Sequence, residues 1–248
     1  MKIKFYAHAS FRLEGDGIAV VTDPYTPGPE VSNFARIDEP ADIVIMSSAT
    51  DRFHSDPSHI SGNPTVVNAV EVVTRHAVAT EQGASTGASN GQGSGKVTVK
   101  GVTIQAFPSM ESLTWAYGRD PEDNAMYLFT LEGIRFLHIG DIGNPLSAAH
   151  LAQLAGNVDV MFALTGGNST IALDDLDAAI QVIKPRVIIP MHYFHPKGRL
   201  KILPLSDFLS RYPNEMITQV GGSELELTQE VLSTLPTTPH IYVLEQSR

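Results

Sequence analysis

The chain predicts an α+β protein layered helix–sheet–sheet–helix, on three observations. β-rich segments joined by turns dominate the chain before Asp141. After Asp141 the period changes to helices alternating with apolar strands, and the overall order hints at two similar β-rich halves. With 248 residues there is enough chain to bury one large core, and a single domain over 1–248 is expected.

The elements follow in order. Lys2-Ile3-Lys4-Phe5 alternates polar with apolar, Ser10 to Leu13 continues, and Glu14-Gly15-Asp16-Gly17 is a hairpin signal. Ile18 to Thr22 returns as a strand ending at Asp23-Pro24, and Tyr25 to Pro40 reads as a proline-bearing irregular loop. Ile43-Val44-Ile45-Met46 is apolar throughout, suited to burial on both faces, and Thr65 to Asn68 is a further strand. Gly83 to Gly95, rich in Gly, Ser, Ala and Asn, is a loop or a strand pair without visible alternation. Val97–Val99 pairs with Val102–Ala106 across Lys100-Gly101. Ala125–Thr130 pairs with Ile134–Ile139 across Leu131-Glu132-Gly133. Ser147 to Ala155 has helical spacing and a Gly156-Asn157 stop, and Val158 to Leu164 is a buried strand. Leu173 to Ile183 is an amphipathic helix with Asp174, Asp175 and Asp177 near its positive end, closed by Lys184-Pro185. A strand to Pro190 and a helix over Leu205 to Tyr212 complete the pattern.

Composition removes several function classes. Seventeen Lys and Arg against 27 Asp and Glu give a net charge of −10, without a run of basic residues, so nucleic acid and anionic membranes are not expected partners. An anionic substrate would need local compensation, such as a metal ion. The absence of cysteine excludes a disulfide scaffold, a thiolate metal site and a Cys nucleophile. No window is apolar enough to span a bilayer and no signal-like segment opens the chain, so a soluble cytoplasmic protein acting on a small molecule is expected. Apolar hairpins at open sheet edges make a homo-oligomer plausible.

Two buried-strand patterns end in metal-capable side chains: Phe136-Leu137-His138-Ile139-Gly140-Asp141 and Val187-Ile188-Ile189-Pro190-Met191-His192. A strand end is a rigid mount, and a carboxylate with an imidazole suits a hard or borderline divalent cation.

Tyr6-Ala7-His8-Ala9-Ser10-Phe11, Thr22-Asp23-Pro24, Gly140-Asp141 and Pro190-Met191-His192-Tyr193 occur in the order seen in the metallo-β-lactamase superfamily. Over essentially its whole length the chain most resembles the branch with ascorbate-6-phosphate lactonase and related bacterial metal-dependent hydrolases. The resemblance implies an α/β/β/α sandwich and one or two divalent ions, Mn²⁺ or Zn²⁺ first, with Fe²⁺ also compatible.

The resemblance breaks at the superfamily's His-x-His-x-Asp-His loop, where this chain has Ser47-Ser48-Ala49-Thr50-Asp51-Arg52-Phe53-His54-Ser55-Asp56-Pro57. Aligned from the preceding strand, Ser48 and Thr50 replace the first two histidines. Aligned from His54, Ala49 and Asp51 replace them and Phe53 replaces the Asp. The second register is favoured, because it keeps the final His and puts a metal-capable Asp51 in place of the second. Glu111 falls at or beside the next motif His. The implied ligands are then Asp51, Glu111 and Asp141 in one subsite, and Asp141, His54 and His192 in the other. Carboxylates in place of imidazoles shift preference from Zn²⁺ towards Mn²⁺, Mg²⁺ or Fe²⁺.

Asp141 or Asp51 would orient water and accept its proton, with His8 beside the metal pocket and Asp23 supporting the metal loop. Trp115, Tyr117, Arg119 and Tyr193 are the candidate substrate contacts, and Phe194, His195, Lys197 and Arg199 are placed on the same pocket. His59, His76, His138, His150 and His240 are assigned to structure or surface. Three functions fit: a metal-dependent hydrolase of a small lactone, amide or phosphoester; a metal-free binding protein; and an Fe-dependent oxidoreductase.

Overall fold

The computed structural model describes residues 1–74, 93–111, 123–236 and 239–248. Its strands are β1 (Lys2–Ala7), β2 (Ser10–Gly15), β3 (Ile18–Thr22), β4 (Ile43–Met46), β5 (Thr65–Asn68), β6 (Gly95–Val99), β7 (Val102–Met110), β8 (Asp123–Leu131) and β9 (Ile134–His138). They continue with β10 (Val160–Leu164), β11 (Val187–Met191), β12 (Ile217–Gln219), β13 (Glu224–Glu226) and β14 (His240–Val243). A helix, α1, starts at residue 69 and is described to 74. It is followed by α2 (Ala148–Leu154), α3 (Leu173–Ile183), α4 (Leu205–Leu209) and α5 (Gln229–Thr234).

Two mixed sheets form the molecule. The first has the order β13-β1-β2-β3-β4-β5, the second β12-β14-β11-β10-β9-β8-β7-β6. Between them lies the main core, where Phe11 of the first sheet meets Phe5 and, across the layer, Phe162 of the second, each at 4.4 Å between ring centroids. The expected α+β sandwich of two β layers is what the chain forms.

β4 explains its own composition. Ile43 and Ile45 face the main core, while Val44 and Met46 join Tyr6, Val21, Tyr25, Phe34 and Ile37 in a second apolar cluster on the opposite face. That face is therefore covered by Tyr25, Phe34, Ile37, Ala41 and Ile60, the first three from the stretch Tyr25 to Pro40 that the sequence reading treats as an irregular surface loop. α3 keeps its expected bounds and buries Leu176, Ala179, Ile180 and Ile183, one stripe of a 3.6-residue period. The Ser147 side chain caps α2 by accepting from the His150 N–H at 3.2 Å.

Three differences from the sequence reading have local causes. β7 runs on to Met110 through Pro108, which is tolerated because β6 ends its pairing at Ala106 and leaves that edge open. Gly95 opens β6 instead of ending a loop; the rest of the Gly-rich stretch, to 92, is outside the described residues. The last helix stops at Leu209, and the chain beyond Tyr212 supplies β12, β13, α5 and β14, none of which the sequence reading contains. β14 adds in parallel to β11, and β13 lines the outer edge of β1.

The parallel strands decide where the functional groups meet. β3 and β4 in one sheet, and β9, β10 and β11 in the other, end on the same side of the sandwich. Clefts beyond the carboxyl ends of parallel strands are where open α/β sheets hold ligands. Among the described residues no helix is long and apolar enough to cross a membrane.

Candidate metal centre

His8 is the first residue of a two-residue turn between the paired Ala7 and Ser10, and takes φ 59°. Asp23 follows β3 with φ 37°, and His192 follows β11 with φ 52°. Left-handed backbone at non-glycine residues costs about 1–3 kcal/mol each and persists where surroundings impose it. Here the His192 N–H donates to the His8 carbonyl at 2.8 Å, joining the two sheets, and the Asp23 N–H donates to Ile45 at 2.8 Å.

Asp23 is fully buried and accepts four hydrogen bonds. The Ser47 N–H (2.8 Å) and the Tyr127 hydroxyl (3.0 Å) reach Oδ1; the Ser47 hydroxyl (2.5 Å) and His54 Nδ1 (2.8 Å) reach Oδ2. Burial pushes this carboxyl up, but His138, His54 and Ser47 outweigh it and hold it below the usual range. The bond fixes the proton of His54 on Nδ1 and leaves Nε2 facing the cleft, the way a carboxylate orients a metal-ligating imidazole. For His54 burial acts downwards, and Asp23, Asp141 and Asp51 overcome it, raising the ring to about 10, so that Nε2 too holds a proton until an entering cation displaces it.

Around His54 Nε2 stand Asp51 Oδ2 and Asp141 Oδ2, each at 3.7 Å, while His192 Nε2 lies 3.2 Å from Asp141 Oδ1. The His8 ring sits 3.9 Å from that of His192 and 5.1 Å from that of His54. Donor atoms of His8, His54 and His192 lie within 4.8 Å of one another, as do those of Asp51, His54 and Asp141. Burial and the two neighbouring imidazoles keep His8 well below the usual histidine range, so it is neutral and a lone-pair donor. Burial raises the carboxyl of Asp141, yet His192 and His54 hold it lower. Glu111, just past β7, is raised to about 8 by burial and by Asp141 and Asp51.

This is a fit for a divalent cation. Among the described residues, His8 Nε2, His54 Nε2 and Glu111 Oε1 are buried without a hydrogen-bond partner, and Asp141 Oδ1 meets only the His192 ring, at 3.2 Å. Buried polar atoms in a native protein are normally satisfied, so several orphans in one cluster mark a place for an absent ligand.

The loop after β4 turns Asp51 and His54 inward and leaves Ala49 and Thr50 exposed. The Ser48 hydroxyl accepts from the N–H groups of Thr50 and Asp51, so it shapes the loop. Phe53 stacks beside His8 at 5.1 Å.

Asp141 owes its place to Asn124 and Gly140. Asn124 Oδ1 accepts from the Asp141 N–H at 3.3 Å and from the Ser109 hydroxyl at 3.1 Å. A Cβ on Gly140, whose φ is 63°, would lie 2.3 Å from that same oxygen. Asn124 is absent from the sequence reading; its pairing with Ser47 and Ser109 depends on strands far apart in sequence.

Asp51, Glu111, Asp141, His8 and His192 line one cleft of ≈ 230 Å³ with Phe53, Ser169, Thr170, Leu200, Lys201 and Ile202. Gly166 lets that far wall come close, since a Cβ there would lie 2.3 Å from the His192 carbonyl. Tyr193, expected on the pocket, is corrected: it is not among the residues lining the cleft and packs edge-on against Phe5 of the core, 6.3 Å between centroids. Trp115, Tyr117, Arg119 and His76 lie outside the described residues. His138 is structural: one ring nitrogen bonds the Ala9 carbonyl and the other accepts from the Gly140 N–H. His59 likewise bridges Tyr25 and Ile37.

Two sheets with metal-capable residues gathered at their parallel-strand ends define a metallo-β-lactamase fold. The chain belongs to the β-lactamase superfamily, whose domain profile matches residues 2–192. Its relatives include a UPF0173 metal-dependent hydrolase of Thermococcus kodakarensis, 27% identical over 199 residues, covering 78% of this chain and 84% of the relative. A Pyrococcus furiosus protein of the same name is 28% identical over 200 residues, with the same coverages. Among solved structures, a Thermotoga maritima protein described as a Zn-dependent hydrolase of the metallo-β-lactamase superfamily superposes with a TM-score of 0.69. It is 26% identical and matched over 99% of both chains. An isothiocyanate hydrolase from Delia radicum gut bacteria shares the fold at 14% identity and a TM-score of 0.60, over 100% of this chain and 98% of that one. The expectation of a metal-dependent hydrolase agrees with the names these relatives carry; none names a lactone.

Proposed function

We propose that the protein is a metal-dependent hydrolase of a small lactone, amide or phosphoester, working in the cleft between His8, Glu111 and Lys201. The observation that carries this reading is the convergence on one cleft of Asp141 with His8, His54 and Glu111, whose buried donor atoms have no partner among the described residues. His54, His192, Asp51 and Asp141 would hold the ion, with His8 and Glu111 within the same cluster. Two or three carboxylates among the donors favour Mn²⁺ or Fe²⁺ over the all-imidazole preference for Zn²⁺. Such an ion supplies Lewis acidity for a carbonyl or phosphoryl oxygen and acidifies water near neutral pH.

The chain's own groups do the rest. Asp23 holds His54 with its Nε2 towards the cleft. Asp141, held beside His192 at 3.2 Å and lining the cleft, is the carboxylate placed to orient water and accept its proton. Glu111, raised to about 8 by burial and by Asp141 and Asp51, would give up its proton on joining the ligands of the ion. Phe53, Leu200 and Ile202 give the cleft apolar surface beside these polar groups.

Elemental analysis before and after incubation with Mn²⁺, Zn²⁺ and Fe²⁺ tests the reading, followed by a hydrolysis screen of lactones, amides and phosphoesters. Near-stoichiometric metal and chelator-sensitive hydrolysis are expected. No metal under any condition would sink it and favour a metal-free binding role.

A further inference from the structure

Resting on that hydrolytic reading of the cleft, we propose that its substrates bear a carboxylate or phosphate, and that Lys201 holds this anionic group.

The cleft is lined by charges of both signs. Asp51, Glu111 and Asp141 line it, and Lys201 is, among the described residues, its only Lys or Arg. No ion pair joins Lys201 to those carboxylates although they share the cavity. The gap between them is therefore open to a molecule whose reacting bond lies at the carboxylate end and whose charge lies at the lysine end. Phe53, Leu200 and Ile202 supply apolar surface for the body between.

Lys201 is not on a free loop. The Phe194 N–H donates to the Leu203 carbonyl at 2.9 Å, closing the base of the segment, and Leu203 donates in turn to Gly166 at 2.5 Å. The Asn33 N–H donates to the Lys197 carbonyl at 2.9 Å and pins its far end. Backbone bonds at both ends hold the lysine at the mouth before a ligand arrives, which lowers the ordering cost of binding.

The surrounding charge pattern agrees. Lys2, Lys4, Arg12, Arg135, Arg211 and Arg248 are each matched by a carboxylate. Lys197, Arg199 and Lys201 on the pinned segment are exposed, and none of them has a carboxylate partner among the described residues. Arg36, Lys96, Lys184 and Arg186 also lack an ion pair among the described residues, but in a chain of net charge −10 the unneutralised cations of this segment are the ones beside the acidic pocket, where they attract anions.

The test uses phenylphosphonate, an anion on an apolar body without a hydrolysable ester, and benzamide as its neutral counterpart. Each is titrated by calorimetry into wild type, Lys201→Ala, Lys201→Glu and Lys201→Arg after incubation with Mn²⁺, with metal content measured on the same samples. Wild type should bind phenylphosphonate and discriminate against benzamide. Lys201→Ala should weaken phenylphosphonate about tenfold, Lys201→Glu further, and Lys201→Arg should largely restore it. Metal content should not change across the series. Equal phenylphosphonate affinity in wild type and Lys201→Ala would overturn the proposal, as would undiminished benzamide binding or no anion binding at all. A protein that takes no metal would overturn the hydrolytic reading separately, while the wild-type to Lys201→Ala ratio would still decide the lysine.

Discussion

Replacing Asp23 by Asn exchanges one carboxylate oxygen for an amide in a buried site where all four neighbours donate. Ser47 supplies an N–H and a hydroxyl, Tyr127 a hydroxyl, and His54 its Nδ1–H. Whichever way the amide turns, one pair of contacts meets an NH₂ group. If that pair is Ser47 Oγ and His54 Nδ1, the hydroxyl can rotate and accept, but the imidazole can adapt only by moving its proton to Nε2. That move blocks the lone pair facing Asp51 and Asp141. Loss of about one charge-assisted bond and strain on a second imply a stability loss of about 2–4 kcal/mol. Losing the carboxylate that orients a ligating imidazole implies metal binding weakened by about 10–100-fold. Urea unfolding of the metal-free protein reads the first quantity, and competition with a chelator of known affinity reads the second. Tyr127→Phe is the control: it removes one donor to Asp23, should cost about 1 kcal/mol, and should leave metal affinity intact. Metal affinity in Asp23→Asn within about twofold of wild type would refute the role assigned to Asp23.

Glu111→Gln should lower metal occupancy as strongly as His192→Ala, since the buried Glu111 Oε1 has no partner within the protein; elemental analysis of both variants decides, and full occupancy in Glu111→Gln would remove Glu111 from the site. Gly140→Ala should cost about 2 kcal/mol or more and shift the Asp141 backbone, because its Cβ would collide with Asn124 Oδ1 in a left-handed conformation; thermal unfolding and metal titration check both effects. Away from the site, burial raises the Asp159 carboxyl but Arg135 outweighs it through side-chain bonds at 2.8 and 2.9 Å and its backbone N–H, so the folded value is depressed. Its stabilisation is present above the unfolded carboxylate value near 4 and is lost as pH falls through the lower folded one. Asp159→Asn should therefore cost about 2 kcal/mol at pH 7 and almost nothing near pH 2, measured by denaturant unfolding across that range.

Much of the fold was legible because its signals were local. The alternation of β1, the two-faced apolarity of β4 and the stripe and stop of α3 each follow from a few adjacent residues. The strands β12 and β13 were not legible: three residues each, they are strands only because β14 and β1 accept them. In the site, Asp51, His54, Asp141 and His192 were nameable from strand-end patterns and the superfamily resemblance, and the fold does gather them. Asn124 was hidden because its partners, Ser47, Ser109 and Asp141, come from three other parts of the chain. Tyr193 was misplaced because the left-handed turn at His192, which sets the direction of the next side chain, leaves no mark in the local sequence.

The bond from His192 to the His8 carbonyl has a consequence for how the protein can be taken apart. Asp51, His54 and His8 travel with one sheet, and Asp141 and His192 with the other. A cation held among them would bolt the halves of the sandwich together across their seam. Ion release would then be gated by the sheets drawing apart at this end, and the amide proton of His192 would exchange with solvent on the same clock.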